Sequence, residues 1–321
     1  MKITINDVAK ACGVNVSTVS RVLNNDSRIS TETVEKVNKA VQELGYKPLR
    51  RRKKSSQEII LAIPNTGIYT IGATLDFLSN RLKEKDFDIR IMNLKRTRDI
   101  TVQIAESICT KNPAGVILYG CYVSKEAAKV FEKHKIPAIV RHGETQHMIS
   151  VCVNNYNGIQ EAMKFAIGRG YKKFGFVGWN PSDHNVHTRQ NSFLNALRDA
   201  DIDDYHIVGY ELNGIGGYKS TQELLQTFNP DIIIYAADIL AYGGIEYLNE
   251  KGISYPDDIG IIGFDDSIPS AALGLTTMDE LLEETAELVM DNLLSMIENK
   301  SFPPPREVLL TPRLVVRRST K

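Results

Sequence analysis

The sequence predicts a small all-α head joined to a larger α/β body of parallel sheets in two lobes, and three observations carry that prediction. Residues 4–45 hold three short helical periods separated by turn residues. From Ile59 onward, short apolar runs alternate with amphipathic stretches, the pattern of βαβ units in parallel sheets. The stretch so patterned, about 260 residues, exceeds one ordinary core, so it divides into two lobes. Charge divides at the same place. Residues 1–58 carry 12 Lys/Arg against 6 Asp/Glu, and the remainder 27 against 33, so the zero net charge of the 321 residues is a basic head on an acidic body. A polyanion partner is expected for the head alone.

In the head, Thr4 followed by Asp7 has the form of a capping box before Val8 and Ala9, and Gly13 supplies the stop. Asn15 is a good N-cap for a second helix to about Asn24. Ser30 caps a third, with Val34, Val37, Val41 and Leu44 on one stripe and Gly45 beyond its end. Residues 47–58, with Pro48 and a run of basic side chains, read as a linker. Strands are expected at Ile59–Ile63, Phe87–Met92, Gly115–Tyr119, Ala138–Val140, Ser150–Val153, Phe174–Val177, Ile207–Tyr210, Ile232–Tyr235 and Ile259–Gly263. Two open α/β lobes turn their strand C-termini toward each other, and ligands bind at that edge.

On a helical wheel, Val16, Ser17, Ser20, Arg21 and Asn24 share one arc of about 140°, while Val19, Val22 and Leu23 lie opposite, facing Val8 and Ala9. A dry back and a front of small, hydrogen-bonding side chains ending in arginine suit a helix lying in the major groove. A solvated helix face has the same look, so the basic head and arginine-rich linker are what favour DNA.

Thr4-Ile5-Asn6-Asp7-Val8-Ala9, Gly13-Val14, Ser17-Thr18-Val19-Ser20-Arg21-Val22-Leu23-Asn24 and Gly45-Tyr46-Lys47-Pro48 resemble the headpiece of the lactose/galactose-repressor family. Val151-Cys152-Val153-Asn154-Asn155, Gly170-Tyr171, Gly263-Phe264-Asp265-Asp266, Leu275-Thr276-Thr277 and Leu314-Val315-Val316-Arg317-Arg318-Ser319-Thr320 extend the resemblance over essentially the whole chain. The resemblance implies a periplasmic-binding-protein-like body crossed three times by the chain, near Asn154, Asp279 and Thr311. The expected domains are a helix-turn-helix headpiece (1–46), a basic linker (47–58) and an effector-binding and dimerisation body (59–321). Within the body the N-lobe is expected over 59–154 with 281–308, and the C-lobe over 155–280 with 309–321.

By the same resemblance, Val16, Ser17 and Arg21 would read bases, and Thr4, Asn15, Thr18, Ser20, Asn24 and Arg28 would contact or position phosphates. Val16 is either a thymine-methyl contact or a weakly buried helix residue, and any of the hydroxyls can instead cap a helix. Two departures from the family stand out. Its Ala-Arg-x-Leu hinge pattern is replaced by Arg50-Arg51-Arg52-Lys53-Lys54, either a basic arm for phosphates and a narrow minor groove or a solvated spacer. Its Asn-Asp ligand pair is replaced by Ala236-Ala237-Asp238. Arg189, opening the helix after Trp179, and Asp265 match the family's ligand-clamping positions, either as a clamp for vicinal hydroxyls or an acid group or as an interlobe salt bridge. Asp238, Asn65, Tyr69 and Glu280 complete the expected effector site, with Trp179 either stacking on a sugar or packed in the core.

Other chemistry is set aside. His184 and His187 lack a third metal ligand, and His142 and His147 flank a polar loop. Gly214-Ile215-Gly216-Gly217 reads as a turn before a helix, not a dinucleotide fingerprint, and there is no nucleophile elbow. No enzyme activity, metal or cofactor is expected. Cys12, Cys109, Cys121 and Cys152 form no CxxC pair, the N-terminus lacks a signal-peptide core, no apolar stretch spans a bilayer and no heptad tail follows Thr320. The expected protein is a cytoplasmic, homodimeric repressor of a carbohydrate-utilisation operon. It binds a palindromic duplex operator, dimerises through N-lobe helices such as Leu75–Lys85, and responds to a sugar or sugar derivative between its lobes. The alternatives are the same architecture under a partner protein's control and, remotely, a sugar-binding transport component.

Overall fold

The computed structural model describes residues 3–23, 29–46, 57–64, 71–95, 97–178 and 184–321. Asn24, Arg28, Arg50, Arg51, Arg52, Lys53, Lys54, Asn65, Tyr69 and Trp179, named above for DNA or effector contact, lie outside them. Two units separate, Met1–Ser56 and Gln57–Lys321.

The head contains α1 (Ile5–Cys12), α2 (Val16–Leu23) and α3 (Thr31–Glu43). Thr4 directs both its backbone N–H and its hydroxyl to the Asp7 carboxylate, at 2.8 and 2.7 Å. These bonds hold the Asp7 carboxyl below its usual range. Gly13, at φ 66°, ends α1 in the left-handed region that glycine adopts without strain. Ser30 accepts the Thr33 N–H to start α3. Val8, Ala9, Cys12, Val19, Val22, Val37 and Ala40 form the core.

The body begins with β1 (Gln57–Ile63), α4 (Ile71–Glu84), β2 (Phe87–Asn93), β3 (Asp99–Ile100), α5 (Val102–Cys109), β4 (Gly115–Tyr119), β5 (Tyr122–Val123), α6 (Lys125–Lys133), β6 (Ala138–Arg141) and β7 (Ser150–Val153). It continues through α7 (Asn155–Gly168), β8 (Phe174–Gly178), α8 (His184–Asp199), β9 (Tyr205–Gly209), α9 (Gly214–Thr227), β10 (Ile232–Tyr235), α10 (Asp238–Lys251), β11 (Gly260–Asp265), α11 (Pro269–Leu273) and β12 (Thr276–Asp279). The last elements are α12 (Leu282–Asn299), β13 (Glu307–Leu310) and β14 (Arg313–Val315).

Two six-stranded sheets result. The first runs β13-β7-β6-β4-β1-β2, all parallel. The second runs β14-β12-β11-β10-β8-β9, parallel except for the antiparallel β14. Strands such as β4, β8 and β10 are buried at every residue because helices cover both faces of each sheet. In the N-lobe, residues of α5 and α6 close one core, and residues of α4 and α12 the other. In the C-lobe the covering pairs are α7 with α8 and α9 with α10. The chain passes between sheets after β7, after β12 and after β13.

Three boundaries differ from the sequence reading. Gln57 and Glu58 pair with Phe87 and Asp88, so the first strand begins inside the expected linker. Leu309 and Leu310 pair with Cys152 and Val153, which keeps them in the N-lobe sheet and not the C-lobe. Gly214, Gly216 and Gly217 form the first turn of α9 instead of a preceding turn. A Cβ at Gly217 would strike the Leu240 carbonyl, and one at Gly243 the Gly214 carbonyl, so these glycines let α9 and α10 approach backbone to backbone. The four cysteines are buried and free, and no helix among the described residues is long and apolar enough to cross a membrane.

Candidate functional site: helix face and interlobe cluster

In the head, packing decides which side chains α2 shows to solvent. Val19 and Val22 are buried against α1 and α3, which turns Val16, Ser17 and Arg21 outward. Val16 is 40% exposed, an apolar side chain on a face the core does not use. Asn15 is exposed, and Thr18 and Ser20 are half-buried. Thr4 stands differently. Its hydroxyl proton is committed to Asp7, so in this arrangement it has none to give a phosphate.

In the body, the structure gathers a charge cluster where the two lobes meet. Arg189 lies in the second turn of α8, not at its opening, because the helix begins at His184. Its guanidinium is bound on every side. Nε donates to Asn155 Oδ1 at 2.8 Å, Nη2 to Glu280 Oε1 at 2.7 Å and Nη1 to the Ala236 carbonyl, with Asp265 Oδ1 3.5 Å from Nη1. The group also lies 3.6 Å from the centroid of the Phe264 ring, a stacked cation–π arrangement. Asn155 follows the first crossing and Glu280 stands at the second, so one guanidinium holds two of the three segments that join the lobes.

Each member is placed by its own element. Asp265 ends β11 at φ 127°, a strained conformation for a residue with a side chain. Glu280 directly follows β12, with its carboxylate facing His142 Nε2 at 3.7 Å. His142 follows β6 at φ 51° and meets the Tyr119 ring edge-on at 5.3 Å. The two carboxyls part company electrically. Burial and the neighbouring Glu280 charge push Asp265 well above the usual carboxylate range, Arg189 opposing. Burial alone would raise Glu280, but His142, Arg189 and Arg141 hold it below its usual range. Burial pushes His142 down to about 4, so at neutral pH it is uncharged and the two arginines keep Glu280 ionised. Two carboxyls beside one guanidinium thus share the work unequally, Glu280 as the anion and Asp265 holding its proton longer.

A second link joins the lobes through α8. His184 Nδ1 lies 3.1 Å from Glu144 Oε2, and its backbone N–H donates to the Tyr122 hydroxyl at 3.1 Å. His187 faces Asn191 on its own helix, so the two histidines named as a possible metal pair are engaged with different groups.

Asp238 corrects the sequence reading. It is fully buried, and its carboxylate accepts from Thr277 Oγ1 and Ser270 Oγ, each at 2.6 Å, and from the Ser267 N–H at 3.0 Å. It ties α10 to the β11–α11 loop and β12. Arg189, Asp265 and Glu280 do come together. Sequence reasoning missed Asn155, Arg141 and the site position of His142, although the end of a buried parallel strand is where a polar residue earns suspicion.

Residues 4–48 match the lacI family of bacterial regulatory proteins, and residues 163–320 match the periplasmic binding protein-like domain. The chain thus joins a lacI-family DNA-binding domain to a periplasmic-binding-protein-like domain. The HTH-type transcriptional regulator DegA of Bacillus subtilis is 28% identical, over 100% of this chain and 98% of its own length. The structure of the Lac repressor bound to ONPG in the repressed state superposes with a TM-score of 0.77 at 21% identity, covering 100% of both chains. The complex of the transcriptional regulator CelR with cellobiose gives 0.70 at 21%, covering 99% of each. Like these relatives, the chain is a transcriptional regulator, and it has the Lac-repressor fold.

Proposed function

We propose that this regulator is a homodimeric repressor of a carbohydrate-utilisation operon that reads a palindromic operator and is switched by a small sugar-type ligand between the lobes. Val16, Ser17 and Arg21 read bases, with Asn15, Thr18 and Ser20 positioning the backbone. Arg189, Asp265 and Glu280 hold the ligand. The observation that carries the reading is the attachment of Arg189 to both Asn155 and Glu280. A ligand that competes for this guanidinium loosens or redirects the segments joining the lobes, and so changes the relation of one lobe to the other. A tenfold change in operator affinity requires only about 1.4 kcal/mol of differential ligand binding between two such states. The cellobiose complex of a structural neighbour supports a sugar as the ligand class.

The engagement of Arg189 by the chain's own groups also favours a second reading, in which a partner protein and not a sugar biases the lobes. The test is selection of a bound duplex from a random library, followed by gel shifts with and without a sugar panel. A two-fold-symmetric selected site, loss of about 1–3 kcal/mol in Arg21→Ala at one position of the half-site, and a sugar response abolished in Arg189→Ala are expected. A site without symmetry refutes the dimeric operator reading. Operator binding unmoved by any sugar transfers the switch to a protein partner.

A further inference from the structure

Arg141 ends β6, at the sheet edge where the N-lobe strands face the other lobe. It is fully buried, yet only one of its nitrogens is used: Nη2 donates to Thr285 Oγ1 at 2.8 Å and to the Leu282 carbonyl at 3.3 Å. Nε and Nη1 are buried without a hydrogen-bond partner, and so is the neighbouring His142 Nε2. No described carboxylate forms an ion pair with Arg141. The acid whose charge reaches it, Glu280, is already bonded to Arg189. The guanidinium lies 5.4 Å from the centroid of Tyr119, the ring that His142 meets on its edge, so Arg141, Tyr119 and His142 form one contiguous buried cluster beside the second crossing.

We propose that this cluster binds an anionic group of the effector, a carboxylate or a phosphate, through an open N–H of Arg141, on Nε or Nη1, with His142 Nε2 beside it. The proposal rests on the interlobe effector reading and narrows its ligand class from sugars to sugar acids or sugar phosphates. An uncompensated buried guanidinium is costly, and an anion supplies the opposite charge that the neutral oxygen of a sugar hydroxyl lacks. The charge placement agrees: Glu280 bonds Arg189, so a neutral sugar leaves the Arg141 guanidinium without an anion of its own.

The test uses the full chain and thermal shift, followed by calorimetry. Probes are inorganic phosphate and matched sets of neutral sugar, sugar acid and sugar phosphate: glucose, gluconate and glucose 6-phosphate, with the galactose and fructose counterparts. The expected result is that anionic members of one set bind at least tenfold tighter than the neutral parent, and that the preference is lost in Arg141→Met. Arg141→Lys should retain part of it. His142→Asn, which suits the left-handed backbone there, weakens binding if Arg141→Met proves too unstable to assay. Gluconate against glucose 6-phosphate separates carboxylate from phosphate. Neutral sugars that bind as well as their anionic partners, with the response lost in Arg189→Ala, overturn the anion inference and leave the sugar-effector reading standing. Anion binding that vanishes in Arg141→Met but survives in Arg189→Ala upholds the anion cluster and overturns Arg189 as the effector clamp. A panel that includes phosphate and moves nothing overturns the anion inference.

Discussion

Acidification from pH 7 to pH 5 should destabilise the body through His142 by an amount the structure sets. An unfolded histidine titrates near 6.5, whereas burial holds His142 at about 4. The folded-state value is depressed, so the unfolded chain binds the extra proton and stability is lost as pH falls from the unfolded value toward the folded one. At pH 5 nearly every unfolded His142 is protonated and about nine-tenths of folded molecules are not, a linkage cost of about 2 kcal/mol relative to pH 7. For a body of this size that is a fall of about 4 °C in Tm. Asp265 acts in the opposite direction, because its raised carboxyl retains a proton in the folded state. The wild-type slope alone therefore mixes two signs, and the quantity to measure is the difference between wild type and His142→Asn in Tm against pH. Curves that converge by about 4 °C between pH 7 and pH 5 support the reasoning. Parallel curves would mean that His142 titrates normally and that its burial without a partner is wrong.

Further outcomes follow from the same geometry. Glu280→Gln should cost about 3–5 kcal/mol by leaving Arg189 short of its anion in a buried place, while Arg189→Met with Glu280→Met recovers most of that loss in chemical denaturation. Ser30→Ala should lower the stability of the head by about 1 kcal/mol through loss of the α3 cap, read by amide exchange in α3 with the body unaffected. Gly243→Ala should sharply reduce soluble yield and Tm, because the added methyl meets the Gly214 carbonyl; an unchanged Tm would show that α9 and α10 can part at no cost. His184→Ala should alter the lobe–lobe arrangement in solution scattering with little effect on the cores, since it removes only one exposed interlobe side-chain contact.

The central strands were legible because parallel strands buried on both faces are unbroken apolar runs, as at Gly115–Tyr119 and Ile232–Tyr235. The edges were not. Strand β13 alternates exposed Glu307 and Leu309 with half-buried Val308 and Leu310 over only four residues, and β12 is recognisable in sequence only as a Thr-Thr pair. The site divides the same way. Arg189 and Asp265, which match the family's ligand-clamping positions, meet Glu280 from the second crossing, whereas Asp238, which stands where the family has its Asn-Asp pair, faces Ser270 and Thr277. Nothing in the sequence records which way a buried carboxylate turns. Arg141 is not legible as a site residue because the apolar run Ala138–Val140 ends before it. Its burial is a tertiary fact, created when α12 returns from the second crossing to cover that edge.

The position of Glu280 has a consequence for how a regulator of this design diversifies. An acid that binds the arginine from within the hinge acts as a resident competitor of any incoming ligand, and its strength sets the concentration at which that ligand registers. Under the proposed effector reading, exchange of this one side chain for an amide would shift that threshold and lower stability in the same step, because it leaves the buried Arg189 short of its anion. Sensitivity is thereby tied to the stability of the body, and selection on the first draws on the second.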